Sequence, residues 1–474
     1  MRVNAMARFK SLFGVQDMTE GKPMSKLMMF SIPLLIGNFA QQMYNTVDAI
    51  VVGQELGDNA LSAVGTSMPI INLMLVLFMG ISAGASILSA QYFGAKDRET
   101  LSKVVGTTIT LTVLSSAIVM VAGYFLSPLL IGFMTPAESA GEEHEIFVRY
   151  IAPDATTYLQ IIFLGILGGG AYNILGGVLR GIGDSVSPLI YLVLASVLNV
   201  ILDIVFIKWM KNVSAVAWAT ITAQFLSGGL CLWRLVHMRE LITINRSTLK
   251  PDRMLSKKLA SLGLPSSITT GLFSMSAMMV QSLTNSLGAA MIAANVAVMR
   301  VDGFAMMPNF TYGTAATTYV GQNLGAGRMD RIRPGVRDLL KLALITAGIL
   351  VAAILLFGRY LIGMFTETEK TIQIGISGLQ WLAAGYIAFA VTSCLQGAMR
   401  GLGETKIPMW ISIISTIIIR MPLAYLWAHL SRSAEWPNGA PAAIYGSLLV
   451  SWLLSMVMTI VIYRKGKWRN RVPF

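Results

Sequence analysis

Four ionisable side chains interrupt the apolar runs of this chain. Asp48 closes Gln41-Gln-Met-Tyr44-Asn45-Thr-Val-Asp48, Asp203 closes Asn199-Val-Ile-Leu-Asp203, Asp302 follows Arg300 by two residues, and Arg420 ends Ile417-Ile-Ile-Arg420. An ionisable group at the centre of a spanning helix costs about 2.5 to 3.5 kcal/mol on insertion scales, so it persists mainly where it works. A spacing of four puts Asn199 and Asp203 on one helical face, whereas a spacing of two keeps Arg300 and Asp302 apart. Two carboxyls beside amide and hydroxyl oxygens suit either a proton held between acids or a dehydrated sodium ion. A purely structural reading stands beside this one, with Asp48 an end-of-helix acid near the headgroups and Asp203 a hydrogen bonder. Arg300 and Asp302 form either a second site or structural pairs with neighbouring helices.

The elements that must position these groups are membrane helices. Of 474 residues, 55% are hydrophobic and 12% charged, with a mean hydropathy of +0.66. Soluble chains carry about 25% charge. The spacing predicts apolar spans near 27–52, 60–90, 104–133, 147–179, 187–208, 213–233, 259–287, 290–320, 336–364, 372–399, 407–429 and 441–463. The first run is full length and has no Ala-x-Ala site after it, so it is expected as a retained span rather than a cleaved signal. Twelve spans leave no room for a large soluble enzymatic domain.

The net charge of +13 is a topology signal rather than a nucleic-acid footprint. One set of connections holds Lys96, Arg98, Lys103, Arg180 and a basic stretch from Arg234 to Lys258, then Arg328 to Arg337, Arg400 and Lys406; both ends of the chain are basic too. The opposite set holds few cations beside Glu138, Glu142, Glu143, Glu145, Glu367 and Glu369. The positive-inside rule then predicts a multi-pass plasma-membrane protein, of a bacterial inner or cell membrane, with both termini cytoplasmic. At about 1.5 Å per residue, Asp48 lies about 30 Å and Asp203 about 23 Å from the inner starts of their helices, and Thr220 about 10 to 12 Å below the outer end of its own. One cluster of Asp48, Asn199, Asp203 and Thr220 in the outer half of the membrane is therefore expected.

The chain is also a duplication. Pro33, Leu56-Gly57 and Gln91-Tyr-Phe-Gly94-Ala-Lys return as Pro265, Leu287-Gly288 and Gln322-Asn-Leu-Gly325-Ala-Gly, and Leu179-Arg180-Gly-Ile-Gly183-Asp184 returns as Met399-Arg400-Gly-Leu-Gly403-Glu404. The expected fold is all-α and polytopic, with twelve transmembrane helices in two homologous six-helix bundles related by a pseudo-twofold axis normal to the membrane. The expected organisation is an N-terminal lobe over 1–236, a cytoplasmic linker over 237–258 and a C-terminal lobe over 259–474. Paired bundles of this kind are a transporter architecture, with a cavity between halves and alternating access. In the repeat register Asp48 falls on Met279 and Asp203 on Leu423, so coupling chemistry is expected in the first half alone.

Several motifs together resemble one family. They are Pro33 to Asp48 followed by Gly53 and Leu56-Gly57, the Leu-Arg-Gly-x-Gly-Asp turn at 179–184, Asn-x-x-x-Asp at 199–203, Ala-x-Ala-Thr at 217–220 and Val-Gly-Gln-Asn-Leu-Gly-Ala-Gly at 320–327. Essentially the whole chain resembles the multidrug and toxic compound extrusion (MATE) transporters, closer to the DNA-damage-inducible-like subgroup than to the NorM type. The resemblance implies a secondary antiporter that exports cationic or amphipathic small molecules in exchange for protons or sodium. It also implies that Asp48, Asn199, Asp203 and Thr220 are the cation-coupling site, with sodium as the possible metal, and that Pro33 is the point where the first helix bends. The seventh and tenth spans lack the acids of the NorM type, so no second ion site carries over. The sixth span reads Ser214-Ala-Val-Ala-Trp218 where many relatives carry glycines.

Gln41, Tyr44, Asn45, Asn173, Met275, Met279, Arg300, Asp302 and Met306 are the candidate lining of a substrate cavity, the methionines because they repack around varied ligands; lipid-facing or core packing is the alternative for them. Cys231 and Cys394 sit in apolar stretches and build neither a disulfide framework nor a metal site. Three scattered histidines form no ligand spacing or triad. No catalytic residue and no cofactor are expected beyond the coupling ion, and the expected partners are small-molecule substrates and the bilayer, not nucleic acid, with a monomeric protein. A lipid-linked oligosaccharide or lipid flippase is the alternative function, which would line its cavity with several cations.

Overall fold

The computed structural model describes residues 14–135, 142–434 and 436–466, without the side chains of Asn45, Ala49 and Glu143. The described residues are helices and short turns, with no strand among them. In order they form α1 (Pro23–Leu56), α2 (Asp58–Gly94), α3 (Arg98–Gly132), α4 (Glu142–Ile146), a π-helical turn (Phe147–Ile151), α5 (Ala152–Leu164), α6 (Ile166–Gly181), α7 (Val186–Met210) and α8 (Val213–His237). The second half repeats the series as α9 (Arg253–Ser286), α10 (Ala289–Gly325), α11 (Met329–Gly363), α12 (Glu369–Gly401), α13 (Lys406–Ser412), a π-helical stretch (Ile413–Arg420), α14 (Met421–Leu430) and α15 (Ala442–Lys465).

Nine of these helical stretches are individually long and apolar enough to cross a membrane, counting Lys406–Leu430 as one, and His144–Leu164 with Ile166–Gly181 make a tenth that bends by 51°. The remaining two, α1 and α9, have 34 residues each and extend about 51 Å at the helical rise. The twelve-helix expectation therefore holds, with α1 and α9 the two whose apolar stretches are interrupted most by polar residues. Phe125, Phe133, Leu356, Tyr360 and Trp209 stand exposed on the helix surfaces, an arrangement that lipid solvates and water does not.

The duplication is visible in the backbone. Gly57 and Gly288, one repeat apart, precede α2 and α10 with φ of 83° and 98°, a region where a Cβ would clash. The next turn differs between halves, with Lys96 at φ 57° and Gly327 at φ 69°. Asp97 then caps α3 by accepting a hydrogen bond from the Thr100 backbone N–H at 3.0 Å. The Thr100 hydroxyl and that N–H hold the Asp97 carboxyl below its usual range.

Small residues set the helix contacts in the same register. A Cβ on Gly181 of α6 would lie 2.4 Å from the Ser86 carbonyl of α2, and one on Gly401 of α12 would lie 2.6 Å from the Thr317 carbonyl of α10. Close backbone approach of this kind is what small residues allow between membrane helices.

Contacts divide the chain into two compact units, Met1–Gln16 with Ile32–Ser267 and Asp17–Ser31 with Ile268–Phe474. Both changes of unit inside a helix fall within two residues of a helix-interior proline, Pro33 in α1 and Pro265 in α9. Residues 237–258 pack within the first unit: the Thr243 N–H donates to Ser102 Oγ at 2.9 Å and Thr110 Oγ1 donates to the Leu249 carbonyl at 2.6 Å.

Candidate functional site

Three helices of the first unit bring the expected cluster together. Tyr44 and Asp48 lie one turn apart on α1, Asn199 and Asp203 one turn apart on α7, and Thr220 lies on α8. Asn199 and Asp203 are fully buried and Asp48 is 7% exposed, so bulk water does not solvate the acids. The two carboxyl groups lie at hydrogen-bonding separation from each other.

The amide of Asn199 is oriented by its neighbours, because a carboxylate only accepts and a backbone N–H only donates. Its nitrogen donates to Asp203 Oδ2 at 2.9 Å and to the Tyr44 hydroxyl at 3.0 Å, while its oxygen accepts from the Thr220 N–H at 3.1 Å. Asn199 therefore holds Asp203 and spends its own oxygen on the backbone. From the sequence alone that oxygen is a candidate ligand for a cation. Asp48 Oδ1, Asp203 Oδ1 and Thr220 Oγ1 are each sealed from solvent and without a hydrogen-bond partner. A buried polar group left unmatched costs about 1 to 3 kcal/mol. Among the described residues no basic side chain acts on either acid, so the cluster has two acid positions and no countercharge from them.

Tyr158 of α5 is buried beside Tyr44 and both acids. Nothing in the spacing along one helix announces it, because its register against α1 and α7 is a tertiary property. Among the described residues no group of three or more His, Cys, Asp and Glu gathers in a metal-ligating arrangement.

The other candidate residues scatter. Gln41 is exposed, and the side chain of Asn45 lies outside the described residues. Asn173 donates within its own helix to the Gly169 carbonyl at 2.9 Å. Met275 and Met279 are exposed on α9, Arg300 is exposed on α10, and Met306 is buried in the apolar core of the second unit. Asp302 turns away from Arg300 toward Tyr386 of α12 and Arg420. α1 runs as a helix through Pro33. Both cysteines are free and buried.

A structural pair that the motif reading did not assign lies on the 179–184 turn. Asp184 caps α7 by accepting from the Ser187 N–H at 2.9 Å and the Ser187 hydroxyl at 2.7 Å. It also accepts from Arg234 Nε of α8 at 3.1 Å.

The MatE family model matches residues 33–205 and 265–426, one match in each half of the duplication. The probable multidrug resistance protein YoeA of Bacillus subtilis (strain 168) is 30% identical over 434 residues, which cover 89% of this chain and 91% of that protein. The probable multidrug resistance protein YpnP of the same organism is 29% identical over 457 residues, 96% of this chain and 97% of that one. Among solved structures, an outward-facing multidrug resistance MATE family transporter of the MOP superfamily superposes with a TM-score of 0.84 at 24% identity, covering 95% of this chain and 97% of that chain.

Proposed function

The chain belongs to the MatE family, and from that premise we propose that it is a secondary multidrug exporter, not an enzyme, which exchanges cationic or amphipathic small molecules for protons at Asp48 and Asp203. The observation that carries this reading is the buried, uncompensated pair of carboxyls. Two carboxylates at this separation repel strongly when both are ionised, so the pair holds one proton or releases it as a unit.

The exchange follows from that property. A proton entering from outside binds a carboxylate oxygen, forms an O–H bond that the other carboxylate accepts, and leaves the pair singly charged. Loss of that proton to the cytoplasmic side returns the doubly charged pair, which attracts an organic cation. The site meets the two sides of the membrane alternately, so inward proton flow is tied to outward substrate flow. Each pH unit supplies about 1.4 kcal/mol per proton, equivalent to tenfold accumulation of substrate. Asn199 is a positioning residue in this scheme, since it fixes one oxygen of Asp203.

Protons suit the cluster better than sodium. A dehydrated hard cation wants several oxygens, and here the Asn199 oxygen is used by the Thr220 N–H and one Asp203 oxygen by the Asn199 amide. Both termini are assigned to the cytoplasm on the one-sided distribution of Lys and Arg.

Proteoliposomes loaded with a fluorescent organic cation test the reading, driven by a proton gradient at equal sodium or by a sodium gradient at equal pH. The proton gradient is expected to drive transport, and Asp48→Asn or Asp203→Asn to abolish it in folded protein. Transport driven by sodium alone would overturn the proton reading. Transport by both variants at the unmodified rate would overturn the site.

A further inference from the structure

The segment that leads into α1 is seated in the second unit by side chains that the exchange scheme leaves unused. Met18 is fully buried. Its N–H donates to Gln322 Oε1 at 2.9 Å and its carbonyl accepts from Asn323 Nδ2 at 3.2 Å, both amides lying fully buried at the C-terminal end of α10. Arg331 of α11 donates from Nη2 to the Gly21 carbonyl at 2.7 Å and from Nε to Asn323 Oδ1 at 3.2 Å. Two residues after Gly21, α1 begins at Pro23.

The other half seats the start of α9 from the same repeat position. Asn323 falls on Tyr92 in the repeat register, and the Tyr92 hydroxyl accepts from Lys258 Nζ of α9 at 3.4 Å. Thr107 Oγ1 of α3 accepts from the Asp252 N–H at 3.3 Å, and Asp252 in turn caps α9 by accepting from the Leu255 N–H at 2.9 Å. Each helix then changes unit beside its proline: α1 joins the first unit from Ile32 and α9 joins the second from Ile268. The side chains at the shared position differ, yet both hold the start of a helix whose remainder serves the other unit.

α1 is thereby fixed on both sides of Pro33. Beyond the proline, the Tyr44 hydroxyl accepts from Asn199 in the first unit; before it, Met18 and Gly21 are held in the second. A proline inside a helix removes a backbone hydrogen bond and makes bending there cheap, but a bend develops only when neither arm can slide. With its start free, α1 would absorb the motion of alternating access by slippage, and none of it would reach Asp48. We propose that Gln322, Asn323 and Arg331 are positioning residues for export, which anchor the start of α1 so that motion is concentrated at Pro33 and delivered to the arm that carries Asp48. The proposal rests on the export reading for the rates it predicts, whereas the seating of the segment is read without substrate or gradient.

The test uses the full chain in proteoliposomes. Met18→Cys with Gln322→Cys removes the acceptor of the Met18 N–H and places a thiol on each side of the contact. The maximal transport rate is expected to fall at least about fivefold while substrate affinity stays within about twofold. Joining the two thiols with a short cleavable bifunctional reagent is expected to restore the rate, and cleavage to lower it again, a reversal that a folding defect would not show. Gln322→Cys alone, carried through the same reagents, controls for Cys231 and Cys394. Arg331→Gln acts at the second contact without any cross-link. It is expected to lower the rate likewise and, combined with Met18→Cys, to speed thiol labelling at position 18 at least about tenfold over Met18→Cys alone. A joined chain that stops transporting would show that the segment has to leave its seat, and would overturn the anchor. No recovery on joining, or an unchanged rate in both the unjoined double variant and Arg331→Gln, would overturn it too. If the unmodified chain did not transport at all, the export reading would fail by itself, and unchanged labelling at position 18 in Arg331→Gln would overturn the seating.

Discussion

Asp203 accepts a hydrogen bond from the side-chain nitrogen of Asn199, one turn earlier on α7, at 2.9 Å. The same nitrogen serves Tyr44 and the amide oxygen is spent on Thr220, so one side chain ties α7 to α1 and α8 around the acid pair. Asn199→Ala should slow gradient-driven export severalfold, because Asp203 loses its fixed rotamer, and should destabilise the fold by about 1 to 3 kcal/mol through groups left unmatched. Asn199→Asp keeps the shape but puts a third carboxyl in the cluster. Transport rate and melting temperature, measured together, check this: an alanine variant with unchanged rate would remove the positioning role.

The turn at Lys96 gives a second expectation. Lys96 adopts a left-handed conformation that Gly327 occupies at the matching position of the other half. A side chain there costs roughly 1 kcal/mol, so Lys96→Gly should raise the melting temperature and Gly327→Lys should lower it. Thermal unfolding in detergent reads both, and a drop for Lys96→Gly would contradict the strain argument.

Asp184 and Arg234 form a pair whose acid is fully buried. Asp184→Ala strands the Arg234 guanidinium and uncaps α7, and a loss of about 3 kcal/mol is expected. Asp184→Asn should recover part of it by keeping the bond to the Ser187 N–H. Comparable stability of all three proteins would show the pair to be incidental.

Topology has its own test. Cys231 and Cys394 are buried and free, so they leave little background for thiol labelling. In Asn245→Cys, an impermeant thiol reagent should label only after the membrane is opened. Labelling in intact cells would invert the assigned orientation.

The intramembrane acids were legible because an ionisable residue in an apolar run is conspicuous and because a spacing of four fixes a shared helical face for Asn199 and Asp203. What each atom does was not legible. The sequence offers Asn199 as an oxygen donor to a cation, and only the Thr220 N–H across the α7 to α8 contact shows that its oxygen is used. Tyr158 and Tyr386 were invisible for the same reason, since rotation of one helix against another is set by packing rather than by periodicity. Met306, a candidate cavity residue, is core, because sequence gives the spacing of methionines but not which side of the helix is covered. The change of unit beside Pro33 and Pro265 was half legible: the prolines mark where α1 and α9 can bend, but contacts alone reveal that each helix serves both units.

The central claim, that Asp48 and Asp203 hold a proton which a cationic substrate displaces, is tested most directly by counting protons. The purified chain in weakly buffered detergent solution is mixed with a fluorescent organic cation while an indicator dye records pH and ligand fluorescence records binding. The unmodified protein is predicted to release on the order of one proton per substrate bound, and the double variant Asp48→Asn with Asp203→Asn to bind substrate more weakly and, at substrate concentrations that still saturate it, to release none. Equal release from the double variant, or no release from the unmodified chain, would contradict the account.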